Sequence, residues 1–272
     1  MNTIEHAFGR MRRSTRLFDQ YEDSLPTHQN AVDLVKGWNT AFPPECGVNA
    51  GTLPVYADPR IRWAIECFGP IEGRSVLELG PLEAAHTAML EEVGALVDSI
   101  EANKLAFLRC LVTKEIRGMT RAKFYLGDFV KWLETTEKMY DLIVASGVLY
   151  HMRDPLHLLE LMAARSNALF LWTHYVDDLA MPKGDPRRIV LSEPIELKTN
   201  AGVPVRLYQR TYMRAQKNVT FCGGMEDKHY WLHRDDLQAV LKSLGYTNLA
   251  IAHEEPDHKF GPSFSIFARR DG

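Results

Sequence analysis

Acidic residues close apolar runs at regular intervals through the middle of this chain, and histidines follow two later runs. Residues 75–80 read Ser-Val-Leu-Glu-Leu-Gly, so Glu78 and Gly80 end an apolar segment before a stretch of helical rhythm, Glu83 to Val93. Ala95–Asn103 ends in Glu101, with Asn103 just beyond it. It lies about 20 residues past the glycine turn, where a carboxylate can accept both hydroxyls of a ribose. Ala122–Phe129 closes with Gly127-Asp128-Phe129. An acid there can accept from the exocyclic amine of adenine, with the Phe129 ring against the base. Tyr140–His151 is opened by Asp141 and closed by Ser146-Gly147, with Tyr150 and His151 after it, and His174 follows the next run in Trp172-Thr-His-Tyr175. Imidazole is the side chain best suited to take a proton from a hydroxyl near neutral pH. His151 and His174 are therefore the candidate catalytic bases, His151 foremost.

The elements that must carry these groups alternate. Residues 75–80, 96–101, 122–127, 140–146 and 168–173 read as strands with helices between them. That pattern calls for an α/β fold, a Rossmann-like doubly wound and mostly parallel sheet covered on both faces. Right-handed crossovers then bring the strand C-termini to one edge.

In this order the motifs resemble the class I S-adenosylmethionine (SAM) methyltransferases over roughly residues 70–175. The Glu78–Gly80 turn is similar to that family's first motif, Glu101 to its ribose-binding acid, and Gly127-Asp128-Phe129 to its adenine-binding turn. Asp141 to Asp154-Pro155 resembles its fourth-strand motif, and Gly147-Val-Leu-Tyr-His151 resembles the branch containing tRNA wobble-uridine carboxymethyl transferases. The resemblance implies SAM as cofactor and S-adenosylhomocysteine (SAH) as product. It implies a cofactor set of Glu78, Gly80, Glu101, Asn103, Asp128, Phe129, Ser146 and Gly147. It also implies that helices in residues 1–70 act as a lid over the site.

One departure stands out. The family carries further glycines in the first turn, whereas here it reads Gly80-Pro-Leu-Glu-Ala-Ala-His86. Pro81 stiffens the turn, and Ala84 and Ala85 permit close approach if their φ is negative. The G-x-G-x-x-G that cradles a pyrophosphate is absent, which argues against a dinucleotide enzyme. His86 is expected near this turn, and Glu83 reads as a first-turn acid complementing a helix dipole.

Of the 272 residues, 46% are hydrophobic and 25% charged, and the net charge is −3. That balance suits a globular enzyme and argues against a nucleic-acid partner, whose phosphates call for a basic surface. A cluster at Arg10, Arg12, Arg13 and Arg16 reads as the solvated face of a helix over residues 2–20. The four cysteines are dispersed with no C-x-x-C pair, the histidines match no metal-ligand spacing, and no apolar run is long enough to span a membrane. The expectation is a cytoplasmic protein without a metal.

Residues 1–70 form an N-terminal helical extension, with helices at Asn30–Trp38 and from Asp58-Pro59 to about Phe68. Residues 71–272 form the cofactor domain, with an insertion at about 177–230. Within the insertion, Ile189–Leu197 and Val203–Met213 read as a β-hairpin after the fifth strand, and Phe221-Cys-Gly-Gly224 as a flexible joint. Trp231 opens the last helix, and Tyr246–His253 and Pro262–Ala268 close the fold as strands. Tyr150, Tyr175, Tyr230 and Trp231 are candidate substrate contacts. Arg206, Arg210 and Arg214 share a strand face and read as solvated or as contacts to an anion. The expected activity is methyl transfer to oxygen or nitrogen of a small-molecule acceptor. The alternatives are a tRNA-modifying methyl or carboxymethyl transferase and a non-catalytic SAM- or SAH-binding protein. The N-terminal helices either close over the site or pair with a second subunit in a homodimer.

Overall fold

In the computed structural model the described residues are 21–218 and 220–271, so the expected 2–20 helix and its arginines lie outside them. Ten strands and seven α-helices are described. The strands of the main sheet are β1 (Ser75–Leu79), β2 (Leu96–Glu101), β3 (Ala122–Leu126), β4 (Leu142–Ser146), β5 (Ala168–His174), β9 (Asn248–Glu255) and β10 (Ser263–Arg269). Their order is β3-β2-β1-β4-β5-β10-β9. β1 to β5 pair in parallel, with Ser75 opposite Leu96 and Val76 opposite Leu142, while β10 runs antiparallel to both β5 and β9. β1 has β2 on one side and β4 on the other. The strand order therefore reverses there, and a crevice opens beyond the carboxyl ends of β1 and β4.

Helices α1 (His28–Leu34), α2 (Pro59–Phe68), α3 (Ala85–Glu92), α4 (Lys104–Ile116), α5 (Phe129–Thr135), α6 (Pro155–Ala163) and α7 (Arg234–Ser243) surround the sheet. Both faces are covered, which explains the unbroken apolar runs. Leu77, Leu79 and Ile143 pack with Leu158 and Leu241 on one face, and Val76, Val144 and Phe170 with Ile61 and Leu90 on the other. None of the described helices is long and apolar enough to cross a membrane.

Side-chain caps set several helix starts. Asp58 accepts from the Arg60 amide, with Pro59 at the first position of α2, and Asp154 caps α6 with Pro155 in the same role. α1 ends at Leu34 rather than Trp38, because Trp38 folds back and its indole N–H donates to the Val32 carbonyl at 2.9 Å.

The insertion departs most from expectation. The hairpin is present as β6 (Ile195–Lys198) and β7 (Pro204–Arg210), but a third strand, β8 (His229–Leu232), pairs antiparallel with β7 to complete a small sheet. Trp231 thus lies on a strand, opposite Tyr208, and the last helix begins at Arg234, where the His233 side chain caps the Asp235 amide. Residues 186–190 form a 3₁₀ turn capped by Asp185, so the first strand starts later than its alternation suggests.

Candidate active site

At the first turn, Gly80, Leu82 and Ala84 have φ of 62°, 56° and 63°. The conformation natural to glycine is held here by two residues with side chains, so the condition of negative φ for close approach is not met at Ala84. At Gly80 a Cβ would meet Val148 at 3.3 Å, where β1 and β4 diverge. Glu83 holds the turn. It is 1% exposed and accepts from the backbone amides of Asn39 at 2.8 Å and Thr40 at 2.7 Å, with Arg109 Nη1 at 3.4 Å. Its role is to anchor the N-terminal segment to the turn, not to complement a helix dipole, since α3 begins only at Ala85.

Glu78 lies beneath the turn, buried at the end of β1, where its carboxylate accepts from the hydroxyls of Thr87 and Ser99. Burial raises its pKa. Glu101 stands at the end of β2 and accepts from the Asn103 amide at 2.8 Å through Oε1 and the Leu82 amide at 3.1 Å through Oε2. Burial raises its pKa against those hydrogen bonds. Each oxygen keeps a lone pair for another donor. Asn103 and Asp128 cap α4 and α5, and Phe129 packs partly buried against the core beside Asp128. Ser146 ends β4, and Gly147 follows with φ of 79°; a Cβ there would lie 3.6 Å from the Tyr150 hydroxyl.

A charged cluster that sequence reasoning missed borders this edge. Asp58 accepts from His86 Nε2 at 2.9 Å and from Arg60 Nε at 2.9 Å. Burial opposes its ionisation, but the hydrogen bonds from His86 and Arg60 outweigh that and hold the carboxyl far below its usual range. The Arg60 guanidinium lies 4.4 Å from the Trp172 ring centroid. The only local signal was Asp58-Pro59, which marks a helix start and says nothing of His86.

Beyond β4 and β5, rings from three parts of the chain converge. Tyr150 packs on His151 at 4.0 Å and on His174 at 4.7 Å between centroids. His174 stacks on Trp231 at 4.9 Å with 7° between planes, and the Arg210 guanidinium lies 4.7 Å from Trp231 on the small sheet. The His174 Nδ1 faces the carbonyls of Gly261 at 2.9 Å and Pro262 at 3.2 Å. Carbonyls only accept, so Nδ1 carries the hydrogen and Nε2 presents a lone pair. The Tyr212 hydroxyl accepts from the Gly224 amide at 2.7 Å and shares a hydrogen bond of 2.7 Å with His151 Nδ1.

Burial pushes His151 down to about 3 and His174 down to about 4, with Arg210 and neighbouring histidines adding to both. Both rings are neutral at pH 7. Gly223 and Gly224 are sites of close approach rather than a loose joint: a Cβ would meet the Phe221 and Tyr212 rings in the first case and the His151 carbonyl at 2.7 Å in the second.

Two expected substrate contacts are not brought here. Tyr175 is 2% exposed and packs on Phe264 in the core, away from the crevice. Tyr230 alternates to the other face of β8 from Trp231, and its hydroxyl donates to Gln209. Tyr150 and Trp231 do line the cluster, joined by Tyr212 and Arg210.

No protein-family model and no curated protein matches the chain. Solved structures do. The N-terminal domain of EvdMO1, crystallised in the presence of SAH and D-fucose, is 23% identical with a TM-score of 0.67, over 91% of this chain and 100% of that one. The chain spans 46% of the longer EvdMO1 structure. The 1,6-didemethyltoxoflavin-N1-methyltransferase of Burkholderia thailandensis, with its namesake compound and SAH bound, is 14% identical with a TM-score of 0.52, over 80% of this chain and 79% of that one. Magnesium protoporphyrin IX methyltransferase from Synechocystis PCC 6803, with bound SAH, is 16% identical with a TM-score of 0.50, over 98% and 95%. At these identities the likeness establishes the Rossmann-like fold of class I methyltransferases.

Proposed function

We propose that the chain is a SAM-dependent methyltransferase acting on oxygen or nitrogen of a small-molecule acceptor. The observation that carries this reading is Glu101 at the end of β2, joined to the first turn through the Leu82 amide, with a lone pair left on each carboxylate oxygen beside the β1/β4 crevice. Those lone pairs suit the hydroxyls of a ribose, and Asp128 with Phe129 suits its base. The turn has no pyrophosphate cradle, which fits a phosphate-free cofactor. SAM bound there supplies a methyl group already activated on a sulfonium.

The chain's own work is then to position the acceptor, exclude water and accept a proton. His174 is the proton acceptor for a hydroxyl, because its Nε2 lone pair is fixed by the Gly261 and Pro262 carbonyls. His151, held by the Tyr212 hydroxyl, orients the acceptor. The order of preference between the two histidines is thereby reversed from the sequence reading. Residues 39–40 edge the cofactor turn as part of the N-terminal extension, and the insertion supplies Arg210, Tyr212 and Trp231 as the acceptor wall. A small acceptor is favoured over tRNA because Arg206 is spent on Asp236 at 2.8 Å and Arg210 lies against an indole, so neither forms an open basic stripe.

Calorimetric titration with SAM and SAH tests the reading. Micromolar binding that Glu101→Ala abolishes is expected. Absence of binding by either ligand refutes it.

A further inference from the structure

Three arginines of β7 and its continuation have different fates. Arg206 is held by Asp236, and Arg214 is exposed at the turn after the strand. Arg210 is half-buried and makes no side-chain hydrogen bond or ion pair among the described residues; its one partner is the face of Trp231 at 4.7 Å. By contrast, the half-buried Arg60 and the buried Arg109 each have a carboxylate. A guanidinium carries five N–H donors in a planar fork, and a ring face satisfies none of them. A half-buried cation without an anion keeps those donors for solvent or for an incoming anion. Burial lowers the Arg210 pKa.

The surroundings say where a counter-ion would sit. Trp231, beneath the guanidinium, stacks on His174, and Arg210 lies close enough to His151, His174 and His229 to depress all three. The cluster's other members are Tyr150 and Tyr212; its nearest acid, Asp227, is engaged by the Tyr212 amide at 3.0 Å and makes no ion pair with Arg210, and the Tyr150 hydroxyl has no hydrogen-bond partner among the described residues. Through Trp231 the fork adjoins the same ring cluster as the proposed proton acceptor.

We infer that the acceptor carries a carboxylate, which Arg210 binds through its guanidinium fork while Trp231 and Tyr150 flank the acceptor's apolar body. This rests on the cluster being the acceptor pocket of the proposed methyltransferase. It narrows the substrate class to small carboxylic acids.

Benzoate and its neutral isostere benzamide are the probes, titrated at constant ionic strength with tryptophan fluorescence as the readout, with and without SAH. Benzoate is expected to bind saturably and benzamide at least tenfold more weakly. Arg210→Gln should weaken benzoate about tenfold to a hundredfold, the span of one or two charge-assisted hydrogen bonds. SAH affinity should be unchanged in that variant, which shows that it folds, and Arg210→Lys should retain part of the benzoate affinity. Equal binding of the two probes, no saturable response to benzoate up to its solubility limit, or full benzoate affinity in Arg210→Gln would each overturn the inference. Failure of the wild-type chain to bind SAH would instead count against the methyltransferase reading, because the benzoate titration without SAH decides the anion site by itself.

Discussion

Glu83 is the residue whose removal the structure predicts most sharply. It is 1% exposed, its partner Arg109 is 2% exposed, and its two oxygens receive the amides of Asn39 and Thr40. Substitution by glutamine keeps one acceptor oxygen but leaves a buried guanidinium uncompensated, a loss of about 3–5 kcal/mol. Leu82 and Ala84 set the scale on the other side. Each holds a left-handed conformation at a cost of about 1–2 kcal/mol, so the Glu83 network must supply roughly 2–4 kcal/mol to keep the turn as it is. The two ranges are comparable, and without Glu83 the turn relaxes. Urea unfolding followed by circular dichroism should show Glu83→Gln to be less stable by about 3 kcal/mol.

SAH affinity should fall with that stability, since the Leu82 amide is a donor to Glu101. Adding Arg109→Met should recover at least about 1 kcal/mol as a coupling term, and adding Leu82→Gly should restore SAH affinity by relieving the turn. A loss of less than about 1 kcal/mol in Glu83→Gln, the range of ordinary surface changes, would refute the claim that this carboxylate anchors the turn.

The depressed histidines predict an acid limb in the stability profile. The unfolded chain takes up protons near pH 6.5, whereas His174 stays neutral in the fold until about pH 4, so stability falls as pH drops through that window. The gap amounts to about 3 kcal/mol, and His174→Gln should flatten the profile between those limits by that order; an unchanged slope in chemical denaturation would contradict the burial argument. Gly224→Ala should cost about 1–3 kcal/mol, because the new methyl meets the His151 carbonyl at 2.7 Å, whereas Gly127→Ala meets nothing within 4 Å and should leave thermal stability the same or slightly higher. Equal melting temperatures for the two variants would count against the close packing of Gly224.

What was legible in the sequence and what was not divides along the range of the interactions involved. Glu78, Gly80 and Glu101 could be read because a strand, its terminal acid and the following turn are neighbours in the chain, and the apolar runs were unbroken because both sheet faces are covered. The proposed base could not be assigned that way. Its tautomer is set by carbonyls 87 and 88 residues further along, at Gly261 and Pro262, and the partner of His151 is Tyr212, 61 residues away. β8 was hidden for a related reason. The capping signal at His233 to Asp236 marks a helix start correctly, but the pairing that makes the preceding four residues a strand is made with β7, which lies across a long loop. At Leu82 and Ala84 residue preference pointed away from the conformation adopted, and the decisive contact was Glu83 with a segment 43 and 44 residues earlier. Local pattern thus sufficed for the proposed cofactor site, because one βαβ unit makes it. The proposed acceptor side is assembled from the ends of β4 and β5, the small sheet and the turn before β10, pieces that only the fold brings together. Arg210 is the clearest instance: on a strand pattern it is equivalent to Arg206, and only the presence of Asp236 beside one and Trp231 beside the other distinguishes a structural ion pair from a cation with no acidic partner among the described residues.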